Sequence, residues 1–250
     1  MKLADGYVLV ERPNATLRVA VLHHAGGSAL SYLPLAQRLP VSCEPCLLDL
    51  PGRGSLDTLP PAPDFATAIE QTLPTMTAIV DRPTVVVGHS LGALVAHSLV
   101  ASLPTPQRTQ VKAVVVSAFQ SPQDAAQAAT HPGSPFQVRT RESVLGDLRE
   151  LGGTPAEIFD DPEWLAETIT LFGLDLHLVD TYHPPPAPVD ADYHVWFGHD
   201  DSRLATEKLA GWAAATTKPV VTREFRGGHF YLTEVEQAAN ALAGLVSRLA

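Results

Sequence analysis

The segment 84–93 joins an apolar run to a serine that stands between two glycines. It reads TVVVGHSLGA, so Ser90 lies at the centre of a Gly-x-Ser-x-Gly pattern. Such a serine occupies a sharp turn between a strand and a helix, where only glycines leave room for the neighbouring backbone. The apolar run before it and the small residues after it are the context that this pattern requires. We therefore predict that Ser90 is a nucleophile rather than an inert turn serine.

A nucleophilic serine needs a base and an acid that orients the base. His229 follows the last predicted strand, on the glycine-supported loop REFRGGHFYL. Such a loop emerges at the same edge of the sheet as the serine turn, so His229 is the predicted base. The acid should follow the preceding strand, where WFGHDD supplies Asp200 and Asp201. One of them is expected to orient His229, and the other to cap a helix or face water. The order Ser, Asp, His is that of an α/β-hydrolase.

The loop HHAGGSA at 23–29 is suited to stabilising an oxyanion. Backbone N–H groups are needed there, one from the residue after the nucleophile and one from a loop after an early strand. Ala25 and Leu91 supply the natural donors. A rival interpretation takes His23 and His24 as metal ligands, but adjacent histidines do not converge easily on one ion and no carboxylate cluster is near. The glycine patterns of nucleotide-binding loops are missing from the sequence.

Short apolar runs alternate along the chain with longer segments of helical period. This alternation is typical of a parallel sheet whose strands are connected by helices. The sequence therefore predicts an α/β fold with a mostly parallel central sheet flanked by helices, its strands at 17–23, 43–50, 84–88, 111–118, 193–198 and 219–225. Pro74 is expected to kink or split the second of the predicted helices, which lie at 30–39, 64–80, 91–103, 203–215 and 233–249.

The alternation stops between Ala118 and Asp192. This stretch has a Gly/Pro-rich entry, THPGSPF, helix-like pieces near 141–151 and 162–182, and a proline-rich exit, HPPPAPVDAD. A structureless loop of such length is uncommon in a compact domain. We predict that residues 119–191 form a helical lid inserted into a single domain that spans 1–250.

Composition narrows the function further. A chain of 250 residues with 45% apolar content has enough material for one substantial core. Its formal net charge of −10 argues against nucleic acids and anionic membrane surfaces as partners. Cys43 and Cys46 are expected to be reduced and structural. Because the N-terminal residues include charges and no apolar run reaches the roughly 18 residues of a membrane span, a cytoplasmic location is predicted.

Six motifs together resemble the type II thioesterases, the stand-alone editing enzymes of polyketide and nonribosomal peptide synthases. They are HHAGGSALSYLPLAQRLP, LLDLPGRG, VVVGHSLGA, LRELGGTP, FGHDD and RGGHFYL. The resemblance implies an α/β-hydrolase fold in which Ser90 is the nucleophile, His229 the base and Asp201 the acid, since Asp201 completes a Gly-x-x-Asp that starts at Gly198. It also implies that Ala25 and Leu91 donate to the oxyanion. One departure is His23, where the family usually has proline.

The reaction implied by the resemblance is hydrolysis of acyl thioesters. The substrates would be acyl groups on the phosphopantetheine arms of acyl or peptidyl carrier proteins, or small acyl thioesters, and no cofactor or metal of the enzyme's own would be required. Two alternatives remain open. The first is another serine acyl-transfer enzyme on the same fold, either a small-molecule esterase or a product-releasing cyclase. The second is a non-catalytic binding module.

A basic cluster in the predicted lid is a candidate surface for docking a negatively charged carrier. It contains Arg139, Arg141 and Arg149, and Arg53 is a second, more isolated candidate. A solvated helix face with charge pairs explains the same residues equally well. The sequence leaves these two interpretations open.

Overall fold

A mostly parallel sheet of eight strands crosses the molecule in this computed structural model, which describes residues 1–4, 6–128 and 139–250. Its strands are β1 (Lys2–Ala4), β2 (Tyr7–Leu9), β3 (Leu17–Leu22), β4 (Cys43–Leu48), β5 (Thr84–His89), β6 (Val111–Ser117), β7 (Tyr193–Gly198) and β8 (Val220–Phe225). Their order in the sheet is β1-β2-β4-β3-β5-β6-β7-β8. β2 pairs antiparallel with β1 and β4, whereas every pair from β4 to β8 is parallel. The predicted α/β fold is confirmed.

Helices connect the parallel strands. The α-helices in the described ranges are α1 (Leu33–Gln37), α2 (Phe65–Ile79), α3 (Leu91–Ser102), α4 (Thr105–Arg108), α5 (Pro122–Ala128), α6 (Arg141–Leu151), α7 (Ala156–Asp160), α8 (Pro162–Asp180), α9 (Tyr231–Glu234) and α10 (Glu236–Leu249). Short polar side chains start several of them. Asp64 accepts from the N–H of Thr67 at the start of α2, and Asp161 accepts from two N–H groups at the start of α8. These bonds satisfy donors that have no partner inside a helix.

Both faces of the sheet are buried at its central strands, which explains why these strands are continuously apolar. Val86 faces one hydrophobic cluster with Ala20 and Leu22, while Val85 and Val87 face the other. Helices α2 and α3 contribute to the first cluster, and α1 and α10 contribute to the second. The alternating pleat thus distributes successive valines to opposite layers.

Two predicted helices differ in the structure. Pro74 lies inside the continuous helix α2, so the expectation that it splits this segment is wrong. The helix predicted at 203–215 is a 3-10 helix that begins at Thr206 and ends at Ala215. Its buried residues are Leu209, Trp212 and Ala215, three apart, which is the repeat of a 3-10 helix rather than of an α-helix.

The segment predicted as a lid contains helices α5 to α8. Val144 and Leu148 of α6 pack against Ile169 and Phe172 of α8 in a small hydrophobic cluster of their own. The Gly/Pro-rich entry THPGSPF lies outside the described residues. The two helices predicted near 141–151 and 162–182 are present as α6 and α8, with bounds close to the predicted ones. No helix within the described ranges has both the length and the apolar character that are needed to span a membrane.

Both cysteines are buried and free of disulfide bonds. Burial raises the pKa of Cys43 to about 11 and that of Cys46 to about 12. Thiols with such pKa values carry little thiolate near neutral pH and are therefore poor nucleophiles. This agrees with a structural role for the pair.

Candidate active site

Ser90 occupies a strained turn between β5 and α3. Its backbone has φ 55° and ψ −126°, a conformation with positive φ that residues other than glycine rarely adopt. The two glycines of the motif allow this turn to pack closely. A Cβ on Gly88 would lie 2.0 Å from the carbonyl oxygen of Gly92, and one on Gly92 would lie 2.3 Å from that of Leu22. The turn therefore requires glycine at both positions.

A chain of hydrogen bonds joins Ser90, His229 and Asp201. Ser90 Oγ lies 2.9 Å from His229 Nε2, and His229 Nδ1 lies 2.7 Å from Asp201 Oδ2. All three residues are buried, with exposed fractions of 8%, 9% and 8% for Ser90, His229 and Asp201. The carboxylate accepts from Nδ1–H, which leaves Nε2 free to accept the serine proton. This is the arrangement of an activated serine nucleophile.

The two adjacent aspartates have different surroundings. Asp200 is exposed, and its backbone N–H donates to Gly227 O at 3.0 Å. Asp201 directs one carboxylate oxygen to His229 and accepts from Arg203 N–H on the other at 3.1 Å. Gly198 lets the two loops approach, since a Cβ there would lie 2.4 Å from Gly228 O. Of the pair, the structure therefore joins Asp201 to the histidine.

Ala25 and Leu91 lie beside the serine. Both line the same cavity as Ser90. Leu91 is the first residue of α3, so its N–H has no acceptor within the helix. The Ala25 N–H donates no hydrogen bond to the residues in 1–4, 6–128 or 139–250. Two residues that line the cavity of Ser90 thus have N–H groups without an acceptor among the described residues, and an oxyanion site requires such groups.

Two adjoining cavities meet at Ser90 and His229, and Ala25, Leu151 and Phe172 line both of them. The larger, of about 190 Å³, has a mainly apolar wall to which Phe119, Leu176, Val179 and Leu204 also contribute. The smaller, of about 50 Å³, extends to the segment 152–154 and to Phe230. Helices α6 and α8 thus supply part of the wall on both sides of the serine.

His23 anchors the loop that carries Ala25. Its Nδ1 lies 2.8 Å from His24 O and therefore donates, and its Nε2 accepts from Leu50 N–H at 3.2 Å. Burial, and secondarily the charge of Arg53, lowers the pKa of His23 well below its usual value, so the ring stays neutral. Because both ring nitrogens bond to backbone, His23 has none left for a metal ion. Across the described ranges, no three His, Cys, Asp or Glu side chains form a group suited to a metal.

Sequence patterns alone do not predict several residues of this site. Phe172 lines both cavities, and Phe230 packs edge-on against the His229 ring at a centroid distance of 5.2 Å. His89, at the variable position of the serine motif, lies 5.3 Å from the His229 ring and bonds Ser117 through Nδ1. Phe230 directly follows His229 in the chain, and this adjacency was the only available signal for it.

The proposed basic docking cluster is largely engaged in other contacts. Arg139 bonds both carboxylate oxygens of Asp180, at 2.6 and 3.0 Å, so its charge is already paired. Arg149 lies over the ring of Phe159 at 5.8 Å. Arg53, the second candidate, is buried in an ion pair and is wrong as a docking residue. Arg141 alone of these cations is exposed without a recorded partner among the described residues.

Because His24 and His97 are buried and neutral, we expect the protein to lose stability in mild acid. Burial lowers the pKa of both His24 and His97 to about 4. An unfolded histidine has a pKa of about 6.5, so as the pH falls from there toward 4 the unfolded state gains protons that the folded state does not. The free energy of unfolding should then fall by about 1 kcal/mol per pH unit for each such histidine.

Urea unfolding between about pH 7 and pH 5 measures this slope. His97→Gln is the informative variant, because glutamine can still bond the Tyr193 hydroxyl that His97 contacts at 2.7 Å. We expect a shallower pH dependence in this variant. An unchanged slope would show that His97 binds protons equally in both states.

Comparisons with known proteins agree with this geometry. A sequence profile of the family described as thioesterase domain matches residues 17–249. The chain is 29% identical over 225 residues to the probable cadicidin biosynthesis thioesterase of Streptomyces griseus. The aligned region covers 90% of this chain and 60% of that protein. It is 28% identical over 239 residues to phenyloxazoline synthase MbtB of Mycobacterium tuberculosis, covering 95% of this chain and 16% of that protein. The chain thus spans less than two thirds of either relative.

A solved structure extends the match to the fold. The type II thioesterase BorB from the borrelidin biosynthetic cluster superimposes with a TM-score of 0.81 at 26% identity, covering 99% of this chain and 98% of that one. The α/β-hydrolase fold and the resemblance to type II thioesterases are confirmed. Since the family profile runs from β3 to α10, the chain belongs to the thioesterase family.

Proposed function

We propose that this protein hydrolyses acyl thioesters held on the phosphopantetheine arms of carrier proteins, as an editing enzyme of polyketide or nonribosomal peptide synthesis. The observation that carries the proposal is the hydrogen-bonded chain Ser90–His229–Asp201 at the junction of two cavities. Family membership and the biosynthetic roles named for the relatives support the substrate class.

In the proposed mechanism, Ser90 Oγ attacks the thioester carbonyl carbon while His229 Nε2 takes the hydroxyl proton. Asp201 holds the histidine and stabilises its positive charge, and the N–H groups of Ala25 and Leu91 stabilise the oxyanion. The carbon–sulfur bond then breaks, and the thiol leaves with the proton from His229. A thiol with a pKa of about 8.5 needs less help from an acid than an amine would.

Water, activated by the same histidine, attacks the acyl-enzyme, releases the carboxylic acid and restores Ser90. The apolar wall of the larger cavity suits the acyl chain, because burial of apolar surface there stabilises the bound substrate. Every step uses side chains and backbone of this chain, and the phosphopantetheine arm is part of the substrate. We further propose that residues 119–191 act as a lid of a single domain over 1–250, and that the enzyme works in the cytoplasm with both cysteines reduced.

The test measures acyl release from a panel of acyl carrier proteins, from the matching free acyl thioesters and from simple oxygen esters. We expect hydrolysis to the free acid, with a higher kcat/KM for carrier-bound acyl groups than for free acyl thioesters or oxygen esters. Preference for oxygen esters would favour a small-molecule esterase, and cyclic products would favour a releasing cyclase. Binding of carriers without release of any acyl group would indicate a non-catalytic module.

A further inference from the structure

A buried ion pair connects helix α8 to the loop after β4. Arg53 Nη1 and Nη2 lie 2.6 Å from the two carboxylate oxygens of Asp175, so the pair is bidentate. The side chains are 5% and 1% exposed. Neither residue belongs to the chain of hydrogen bonds that activates Ser90. The two residues are 122 positions apart, and the pair therefore fixes the position of α8 relative to the body of the protein.

The same two side chains also bind the loop that carries Ala25. Asp175 Oδ2 accepts from Gly26 N–H at 2.6 Å, and Arg53 Nη1 donates to Gly27 O at 3.2 Å. One turn away on α8, Phe172 packs against Gly26, where a Cβ would lie 3.2 Å from its ring. The described residues offer Gly26 N–H no other acceptor, and hence α8 holds the peptide unit that directly follows Ala25.

We propose that Asp175 and Arg53 are positioning residues that orient the loop at 23–29, called the oxyanion loop below, so that stabilisation of the oxyanion depends on the packing of α8 against this loop. This inference rests on the proposed function of Ser90 and Ala25. A charge-assisted hydrogen bond from Gly26 to a carboxylate fixes the plane of the adjoining peptide more firmly than a neutral bond would. Because an oxyanion donor must lie close to the position where charge develops, a small rotation of this loop weakens it.

Stability alone does not explain the pair. Removing two charges from water costs free energy that their mutual attraction only partly restores, so a buried ion pair is often no more stable than apolar residues of similar volume. A purely structural pair should therefore be replaceable by such residues without loss of activity. A positioning pair should not, since leucine at position 175 accepts no hydrogen bond from Gly26.

The experiment compares Arg53→Met/Asp175→Leu with Arg53→Met/Asp175→Asn. Both variants lose the ion pair, but the asparagine carbonyl can still accept from Gly26 N–H. We expect kcat on an acyl thioester to fall about 10- to 100-fold in the leucine variant, with KM changed less than about threefold. The asparagine variant should recover part of that loss but not all of it, because its bond to Gly26 is neutral and it still lacks the Arg53 contact to Gly27 O. Hydrogen exchange at residues 24–28 should become faster in the leucine variant alone.

Arg139→Met/Asp180→Leu is the matched control. It removes another bidentate ion pair of α8, one that makes no recorded contact with the oxyanion loop, and should leave kcat within about twofold. Full activity in the folded leucine variant, or an equal loss in the control, would overturn the inference. So would unchanged exchange at residues 24–28. If the wild type hydrolyses only oxygen esters, the carrier proposal fails, and the same kcat comparison on the ester still decides the role of the pair.

Discussion

Ser90→Ala is expected to lower thioester hydrolysis by about four to six orders of magnitude while the protein remains folded. The alanine retains the Cβ that already tolerates the left-handed backbone at φ 55°, so the turn gains no new clash. What is lost is the oxygen 2.9 Å from His229 Nε2, and with it the acyl-enzyme route. The measurements are single-turnover acyl release and the thermal unfolding midpoint.

A serine-directed phosphonate provides an independent readout of the same site. Mass spectrometry should find the wild type labelled on Ser90 alone, and the alanine variant unlabelled. Ser98→Ala is a suitable control, because Ser98 is also a buried serine of the segment after β5 but lines neither of the two cavities that meet at Ser90. Labelling of another serine, or retained activity in the Ser90 variant, would mean that a different group attacks the substrate.

Local sequence patterns predict the strands and the serine turn because short-range geometry determines both. The buried strands are apolar runs whose two faces meet separate core layers, and the Gly-x-Ser-x-Gly turn needs its glycines where a Cβ would lie within 2.3 Å of backbone. The hairpin of β1 and β2 was missed, since three-residue strands are too short to display an alternating pattern.

Contacts between distant residues could not be predicted in the same way. A dense run of arginines predicts a basic surface only if the side chains lack partners, and Arg139 meets Asp180, 41 positions away. Arg53 likewise meets Asp175 in the interior. Neither pairing has a local signal, because it arises from how α8 packs on the rest of the protein. The exposure of a charge is a property of the tertiary structure.

His23 illustrates how a departure from a family pattern acquires a physical explanation. The family resemblance placed proline at this position, where a fixed backbone angle would stiffen the loop. The histidine ring ties the loop to backbone at both of its nitrogens, to His24 O and to Leu50 N–H. Two hydrogen bonds made by a neutral, buried ring can thus restrain the same stretch of chain.

The adjacent aspartates allow the same chemical change to be made at two neighbouring positions. Asp201→Asn is expected to lower kcat by about 10⁴-fold. The amide NH₂ of asparagine would donate to His229 Nδ1, which moves the ring proton to Nε2. A protonated Nε2 cannot accept the proton of Ser90, whose Oγ lies 2.9 Å away. Asp200→Asn should change kcat less than about threefold, because the Asp200 side chain is exposed and His229 bonds its neighbour.

Steady-state kinetics on one acyl thioester compares the two variants, and thermal unfolding shows whether each is folded. Asp201 Oδ1 also accepts from Arg203 N–H at 3.1 Å, and the asparagine carbonyl can keep this bond. The loop that follows β7 should therefore retain its conformation in the variant. The opposite ranking would reassign the acid to Asp200. If neither substitution mattered, Asp124 would be the remaining acidic candidate near the sheet edge, but its carboxylate already bonds Ser121. A large loss confined to Asp201→Asn would therefore assign the orienting role to the one carboxylate that contacts the histidine.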